Sequence, residues 1–439
     1  MTTDLPPGDP PWYGTPAWTR EHVASLRRTP ETVAPVIYPP EKKTSDEVHL
    51  WDTWLLRTRD GSIADVGGFR VVFSLTAPND LLPGKRHDVA TIRAFYSADG
   101  RTWHDAGPVF AGSDPLGSRQ WAGCALYEPT SDSAGDLYLY YTAAGERGEE
   151  HLSYSQCIAL GSGGRLTADV TGLSVEGPFE HEVLLRPDGT RFETEAQYRG
   201  MIYTFRDPWF FEDPATGRTH LLFEANVPVP QGSGACDGDP VAQEFNGAIG
   251  IAHSPTGDPT EFELGEPLLH STCVNQELER PHLIVRDGRY YLFVSSHQHT
   301  FAPGIEGFDG LYGFVADSLA GVYEPLNDTG LVLTNPANAP FQAYSWLAYP
   351  HREEVLVQSF FNYFDLEGRS LDDVAYLPES EQFRRFGGTF APTVRLEMKG
   401  TRTKVLGTLD HGHLPLPEED LPRFWWEEQR GGGDGPYRA

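Results

Sequence analysis

The sequence predicts an all-β chain folded as a five-bladed β-propeller around a central acidic pocket. Three observations carry that prediction. An apolar, aromatic-rich strand recurs five times, at Phe69–Leu75 (FRVVFSL), Leu137–Thr142 (LYLYYT), His220–Ala225 (HLLFEA), Tyr290–Ser295 (YYLFVS) and Val355–Phe361 (VLVQSFF). The copies follow one another at roughly 65 to 80 residues, the signature of repeated antiparallel sheets carrying long loops. Gly (46) and Pro (36) are spread along all 439 residues, which suits many short strands joined by turns.

Each recurring strand is preceded by another that opens on polar or aromatic groups and runs into apolar residues. These segments are WDTWLL (51–56), WAGCALY (121–127), RDPWFF (206–211), ERPHLIV (279–285) and YSWLAY (344–349). The first strand of a propeller blade lines the central channel, so the five segments are expected to converge at one end of it. Strand-and-turn wording then returns in FYSADGRTWHD (95–105), IAHSPTGDPTEFE (251–263) and FVADSLAGVYEP (314–325), as the outer part of a blade. The Pro-rich residues 1–40 are expected to wrap the propeller, with Trp12 and Tyr13 as packing anchors. Residues 41–430 form the single propeller domain, and GGGDGPYRA (431–439) reads as a flexible tail.

Composition narrows the function. A formal net charge of −29 argues against nucleic acid or an anionic membrane surface as partner, because both need Lys and Arg to neutralise phosphate. Only five of the 34 basic residues are lysine, a balance expected of a salt-adapted source and equally of an acidic protein from a GC-rich genome. The four cysteines (Cys124, Cys157, Cys236, Cys273) show no CxxC and no metal-like spacing, so buried free thiols are expected. No stretch approaches a membrane span. The opening MTTDLPPGDPPWYG has neither the basic region nor the apolar core of a secretory leader. The chain is therefore expected to leave by another route, to stay inside the cell, or to lack its leader.

The convergence of the five segments brings together Asp52, Asp207 and Glu279. Taken singly, each has an ordinary reading: Trp-Asp as a strand end, Arg-Asp-Pro as a turn, Glu-Arg-Pro as a surface ion pair. Their recurrence at equivalent places in a repeat favours one shared site. Carboxylates with tryptophan and arginine, and no metal motif or phosphate loop, suit sugars. Glycosidic cleavage needs a protonated acid for the leaving oxygen and a second carboxylate at the anomeric carbon. The charge of Asp52 is expected to keep Glu279 protonated, and Arg280 to point to the opposite face of the strand.

At these residues the sequence resembles the fructansucrases of glycoside hydrolase family 68, the levansucrase, inulosucrase and bacterial β-fructofuranosidase group, from about Trp18 to about Leu414. LWDTWLLRTRDG (50–61) is similar to the family's nucleophile motif, which implies Asp52 as nucleophile and Trp51 as its sugar-stacking neighbour. FRDPWFF (205–211) implies Asp207 as transition-state stabiliser and Arg206 as sugar ligand. QELERPH (276–282) implies Glu279 as general acid/base and Glu277 as a glucosyl contact or a surface partner of Arg280. RQWAGCALYE (119–128), FEAN (223–226) and FQAYS (341–345) imply Trp121, Glu224 and Tyr344 in the pocket wall. His297 in VSSHQHTF (294–301) stands where Gram-positive members carry arginine, so the Gram-negative-like subgroup is the better match. Gln276 replaces the carboxylate expected beside a structural calcium, so no metal and no cofactor are expected. Ala122 stands where the family often has serine, which removes a hydroxyl near the nucleophile.

The resemblance implies a retaining fructosyl transfer from sucrose to sucrose, fructan, fructooligosaccharide or water, and its substrate favours an extracellular protein; a monomer is expected. A mainly hydrolytic, invertase-like β-fructofuranosidase uses the same three carboxylates. A silent sugar-binding propeller, and an enzyme acting on arabinan or plant fructan, are the remaining readings.

Overall fold

The computed structural model describes residues 14–422; Trp12, Tyr13 and the 431–439 tail lie outside them. Five antiparallel meanders follow one another along the chain. Their first strands are Val48–Arg57, Arg119–Ser131, Phe205–Glu212, Glu279–Arg286 and Ala343–His351. Each pairs with the aromatic-rich strand after it: Arg70–Pro78, Ala134–Ala144, Thr219–Asn226, Arg289–Ser296 and Glu354–Tyr363. All ten segments singled out in the sequence fall on these strands.

The first strands are neighbours in a closed cycle, first to second, second to third, third to fourth, fourth to fifth and fifth back to first. Both alternating sets of side chains in these strands are buried nearly throughout, so each sheet is covered on its two faces. Trp54 stacks on Phe73 at 6.1 Å between ring centroids, and the Arg57 guanidinium lies 3.4 Å over the Trp209 ring while donating to the Phe210 carbonyl at 2.9 Å. The first and third meanders are tied through that arginine.

Every first strand carries a bulge at its pocket end, where pairing slips between Trp51 and Thr53, Trp121 and Gly123, Arg206 and Trp209, Glu279 and His282, and Tyr344 and Leu347. A bulge re-aims the side chains around it. In four of the five a non-glycine residue sits in the left-handed region: Asp52 (φ 41°), Asp207 (58°), Arg280 (53°) and Ser345 (59°). Strain of this kind is concentrated at functional sites.

The ring is fastened at both ends of the chain. Ala17 bridges His270, buried Trp18 donates from Nε1 to the Thr329 carbonyl (3.0 Å), Val33 bridges Thr334, and the Ile37 amide donates to Gln342 (2.9 Å). Residues 17–37 thus run along the third, fourth and fifth meanders. At the other end the Leu414 amide donates to the Gly100 carbonyl (2.8 Å) and Trp103 Nε1 to the Gly412 carbonyl (2.9 Å), joining the last meander to the first. A Cβ at Gly100 would lie 1.9 Å from the Leu414 carbonyl oxygen, so only glycine permits this approach.

One expectation is corrected here. Cys124 and Cys157 are buried free thiols, but Cys236 and Cys273 form a disulfide. The two lie 37 residues apart, one in the loop after Thr219–Asn226 and one just ahead of Glu277, and folding brings their Cα atoms to 5.5 Å. Linear spacing carries no trace of that approach.

Candidate active site

The pocket is organised around one buried cation. Arg206, at the start of the third meander, donates from Nε to Glu224 Oε2 (2.7 Å) and from Nη2 to Glu277 Oε1 (3.0 Å) and Glu279 Oε1 (2.8 Å). Its Nε lies 3.9 Å from Asp207 Oδ2. Four carboxylates from two meanders therefore share one guanidinium, whose planar fork suits several acceptors at once.

Glu279 is the most exposed of the four acids around Arg206, with 16% of its side chain open. It receives a hydrogen bond from the Tyr344 hydroxyl on Oε2, and the same hydroxyl reaches Glu277 Oε2 at 3.5 Å. Burial and then the charge of Glu277 push the Glu279 carboxyl up to about 8, against the opposing pull of Arg206 and His297. The expected charge was that of Asp52; the nearer Glu277 takes that part.

Glu277 has the opposite fate. Burial favours its neutral form, but His297 Nδ1 at 2.7 Å and Arg206 overcome that and hold it down at about 2. The same pairing lifts His297 to about 9 against its own burial. Its ring also stacks on Tyr344, centroid to centroid 3.6 Å. Glu277 is thus a buried ion-pair partner, and its expected surface pairing with Arg280 does not occur: Arg280 donates instead to Ser345 Oγ (2.6 Å), the Ser345 carbonyl (3.2 Å) and the Thr53 carbonyl (2.6 Å). Arg280 does turn away from Glu279, at the bulge where regular alternation is interrupted, and binds the fourth meander to the fifth and first. His282 is framework too: it bridges the Arg280 carbonyl (2.8 Å) and the Ala348 amide (2.9 Å).

Asp207 is buried and pushed up to about 6, chiefly by desolvation, with Arg206 opposing and the Asp52 charge adding. Its own amide donates to Thr142 Oγ1 (2.9 Å) and its Oδ2 accepts from the Arg280 amide (3.2 Å). Asp52 lies close enough for the two charges to interact, yet among the described residues no group donates a hydrogen bond to its carboxylate. Position 122, where a serine was missed in the sequence, presents its carbonyl to Thr142 Oγ1 (3.0 Å). Glu224 is fully buried, held well above the usual carboxylate range by desolvation, and its Oε1 has no partner.

Trp51 is fully buried and edge-on to His87 at 5.3 Å; Trp121 is slightly open and donates from Nε1 to the His87 carbonyl (3.2 Å). Arg86 and His87 were not anticipated. They stand on the turn Pro83–Val89, where His87 fits between the two tryptophans and burial keeps it neutral. Burial also lowers Arg86, opposed by Tyr363 and by the charge of Asp52, so this arginine faces the first-meander carboxylate. The available signal was position: this turn follows the second strand of its meander, as the His297 turn does in the fourth.

Oxygen and nitrogen ligand atoms of Glu277, Glu279 and His297, and those of Asp207, Glu224 and Glu279, lie within 4.8 Å of one another. Arg206 donates into both groups, so side chains already supply positive charge there.

All ten sequence-predicted site residues thus sit at the pocket ends of the meanders. The model of glycoside hydrolase family 68, Levansucrase/Invertase, matches residues 12–415. The chain belongs to this family. A levansucrase from Rahnella aquatilis is 34% identical across 92% of this chain and 97% of its own length. An extracellular sucrase from Zymomonas mobilis is 33% identical across 92% of this chain and 96% of its own. Among solved structures, an inulosucrase from Halalkalicoccus jeotgali bound to kestose has TM-score 0.91 and 66% identity, covering 93% of this chain and 99% of that one. The family-68 chain is an all-β propeller.

Proposed function

We propose that this family-68 protein is a sucrose-cleaving, retaining fructosyltransferase, built as five blades with one meander in each. The observation that carries the reading is the split between two neighbouring glutamates. Glu279 is poised to stay protonated at neutral pH while Glu277, sharing the same arginine and tyrosine, stays ionised. Groups whose environments drive them apart in this way are suited to separate acid and charge roles.

Sucrose enters with its fructosyl ring deepest, against Trp121 and held by Arg206 and Asp207, with the fully buried Trp51 backing the wall. Glu279 gives its proton to the bridging oxygen as the Asp52 carboxylate attacks fructosyl C2; the C2–O bond breaks and glucose leaves. The ionised Glu279 then takes a proton from the acceptor hydroxyl, whose oxygen attacks C2 and releases Asp52 from its ester. Asp207 offers negative charge to the oxocarbenium-like transition state. Glu224, Glu277, His297 and Tyr344 orient Arg206 and set the protonation of Glu279.

The 66% identity to an inulosucrase supports sucrose and growing fructan, rather than water, as acceptors and favours inulin-type linkage. Similarity to an extracellular sucrase supports action outside the cell, and we propose a monomer free of membrane contact. Incubation with sucrose tests the reading: glucose is expected to exceed free fructose, with fructosyl recovered in products of inulin linkage. Equal glucose and fructose would instead favour the hydrolytic β-fructofuranosidase. Absence of glucose would overturn sucrose cleavage itself.

A further inference from the structure

Beside Trp121 stands a cluster that none of the proposed catalytic steps uses. Arg119, buried at the start of the second meander, forms a triangle with two rings, 5.2 Å from the ring centre of Trp121 and 5.5 Å from that of Tyr154. The two rings are 6.3 Å apart. Trp121 is nearly closed off at 9% exposure, whereas Tyr154 is 56% exposed. An aromatic side chain this open contributes little to the core, and burial of its ring does not explain its setting.

The setting is built, not loose. Glu149 accepts hydrogen bonds from Ser118 Oγ (2.6 Å), Ser153 Oγ (2.6 Å) and Arg119 Nη1 (3.1 Å), while Arg119 Nη2 donates to the Ser153 carbonyl (2.6 Å). Two residues beyond Tyr154, Gln156 donates to the Tyr203 carbonyl (2.9 Å) and accepts from the Phe205 amide (3.0 Å), next to Arg206. The tyrosine is therefore fixed to the Trp121 wall and to the chain entering the Arg206 wall. The guanidinium makes a favourable cation–π contact with the ring, which keeps 56% exposure beside it.

We propose that Tyr154 is an acceptor platform: its open face stacks on the apolar C–H face of the saccharide that receives fructose, one ring outward from Trp121. Arg119 and Glu149 are positioning residues for it. The inference rests on the transfer reading above and deepens it by naming where the acceptor is held. A pre-ordered aromatic plane loses little freedom on contact, which favours a sugar over water at the fructosyl-enzyme.

The partition of fructosyl between sugar and water, glucose minus free fructose over free fructose, is a ratio and is read whatever the total rate. In Tyr154→Ala it is expected to fall at least threefold, with the sucrose concentration for half-maximal transfer raised. Tyr154→Phe keeps the plane and should stay within twofold of the parent. An unchanged ratio in the alanine variant, an equal fall in the phenylalanine variant, or a Tyr154→Ala protein that releases no glucose would each overturn the platform. A parent protein that releases no glucose would overturn the sucrose reading beneath it.

Discussion

The first and third meanders deliver their carboxylates differently from the fourth. Asp52 and Asp207 occupy the left-handed bulge position itself, where a short side chain that tolerates positive φ is suited to stand. In the fourth meander that position belongs to Arg280, and the acid, Glu279, comes one residue earlier, level with Trp51, Trp121, Arg206 and Tyr344. The repeat thus offers two kinds of site at each strand start. The pre-bulge site points a long side chain into the pocket, where aromatics, a cation and an acid all occur. The bulge site presents a short carboxylate in two meanders and framework in the others. Proposed nucleophile and proton donor arise from different registers of one motif, which lets burial and neighbours act on each separately.

The largest test of this contrast is removal of the bulge acid. Asp52→Ala is expected to lower kcat for glucose release by at least about a thousandfold, measured by steady-state assay, because no covalent intermediate can form. Activity near the parent's would show that the first-meander bulge does not carry the nucleophile. At the pre-bulge site, Glu279→Gln should cost about a hundred- to ten-thousandfold and abolish the basic limb of the pH profile.

A finer test leaves both acids in place. Glu279 works in its protonated form, so kcat/KM of the parent should be lost as pH rises past about 8. Glu277→Gln removes the charge that raises Glu279, and the neutralised His297 gives back less than is removed because Glu277 acts on Glu279 more strongly than His297 does. The basic limb should therefore move to lower pH; a limb that stays put would detach the Glu279 protonation from its neighbour. The smallest expected effect concerns the framework version of the bulge. Arg280→Met leaves the Thr53 and Ser345 carbonyls without their donor, and denaturant unfolding should show a loss of about 2–4 kcal/mol. No loss would mean that this arginine does not hold the fourth meander to its neighbours.

The strand starts were legible in the sequence because each switches from polar chemistry to an apolar run at a repeated interval. The three carboxylates were legible because they fall at those switches. The bulge was not, since the one-residue offset between Asp207 and Glu279 is set by backbone pairing and not by residue type. Glu277 shows a different limit: three residues ahead of Arg280 in sequence it looked like an exposed ion-pair partner, but the bulge turns Arg280 away and folding supplies Arg206 and His297 instead. Arg86 and His87 were hidden in PGKRHDV, which reads as an ordinary turn until its place after a second strand is noticed. The Cys236–Cys273 bond needed two loops from either side of the third meander's outer strands to meet.

The seam between Gly100 and Leu414 has a consequence for biosynthesis. The residues that close the ring on itself are among the last of the described chain to be made, and Leu414 is fully buried against a turn of the first meander. A ribosome that has translated Asp52, Asp207 and Glu279 has still not made the residues that lock their strands into one circle. Domains can begin folding during synthesis, but this ring can be sealed only after Gly412 and Leu414 emerge. Nascent chains that stop short of Gly412 should therefore remain open, protease-sensitive and inert.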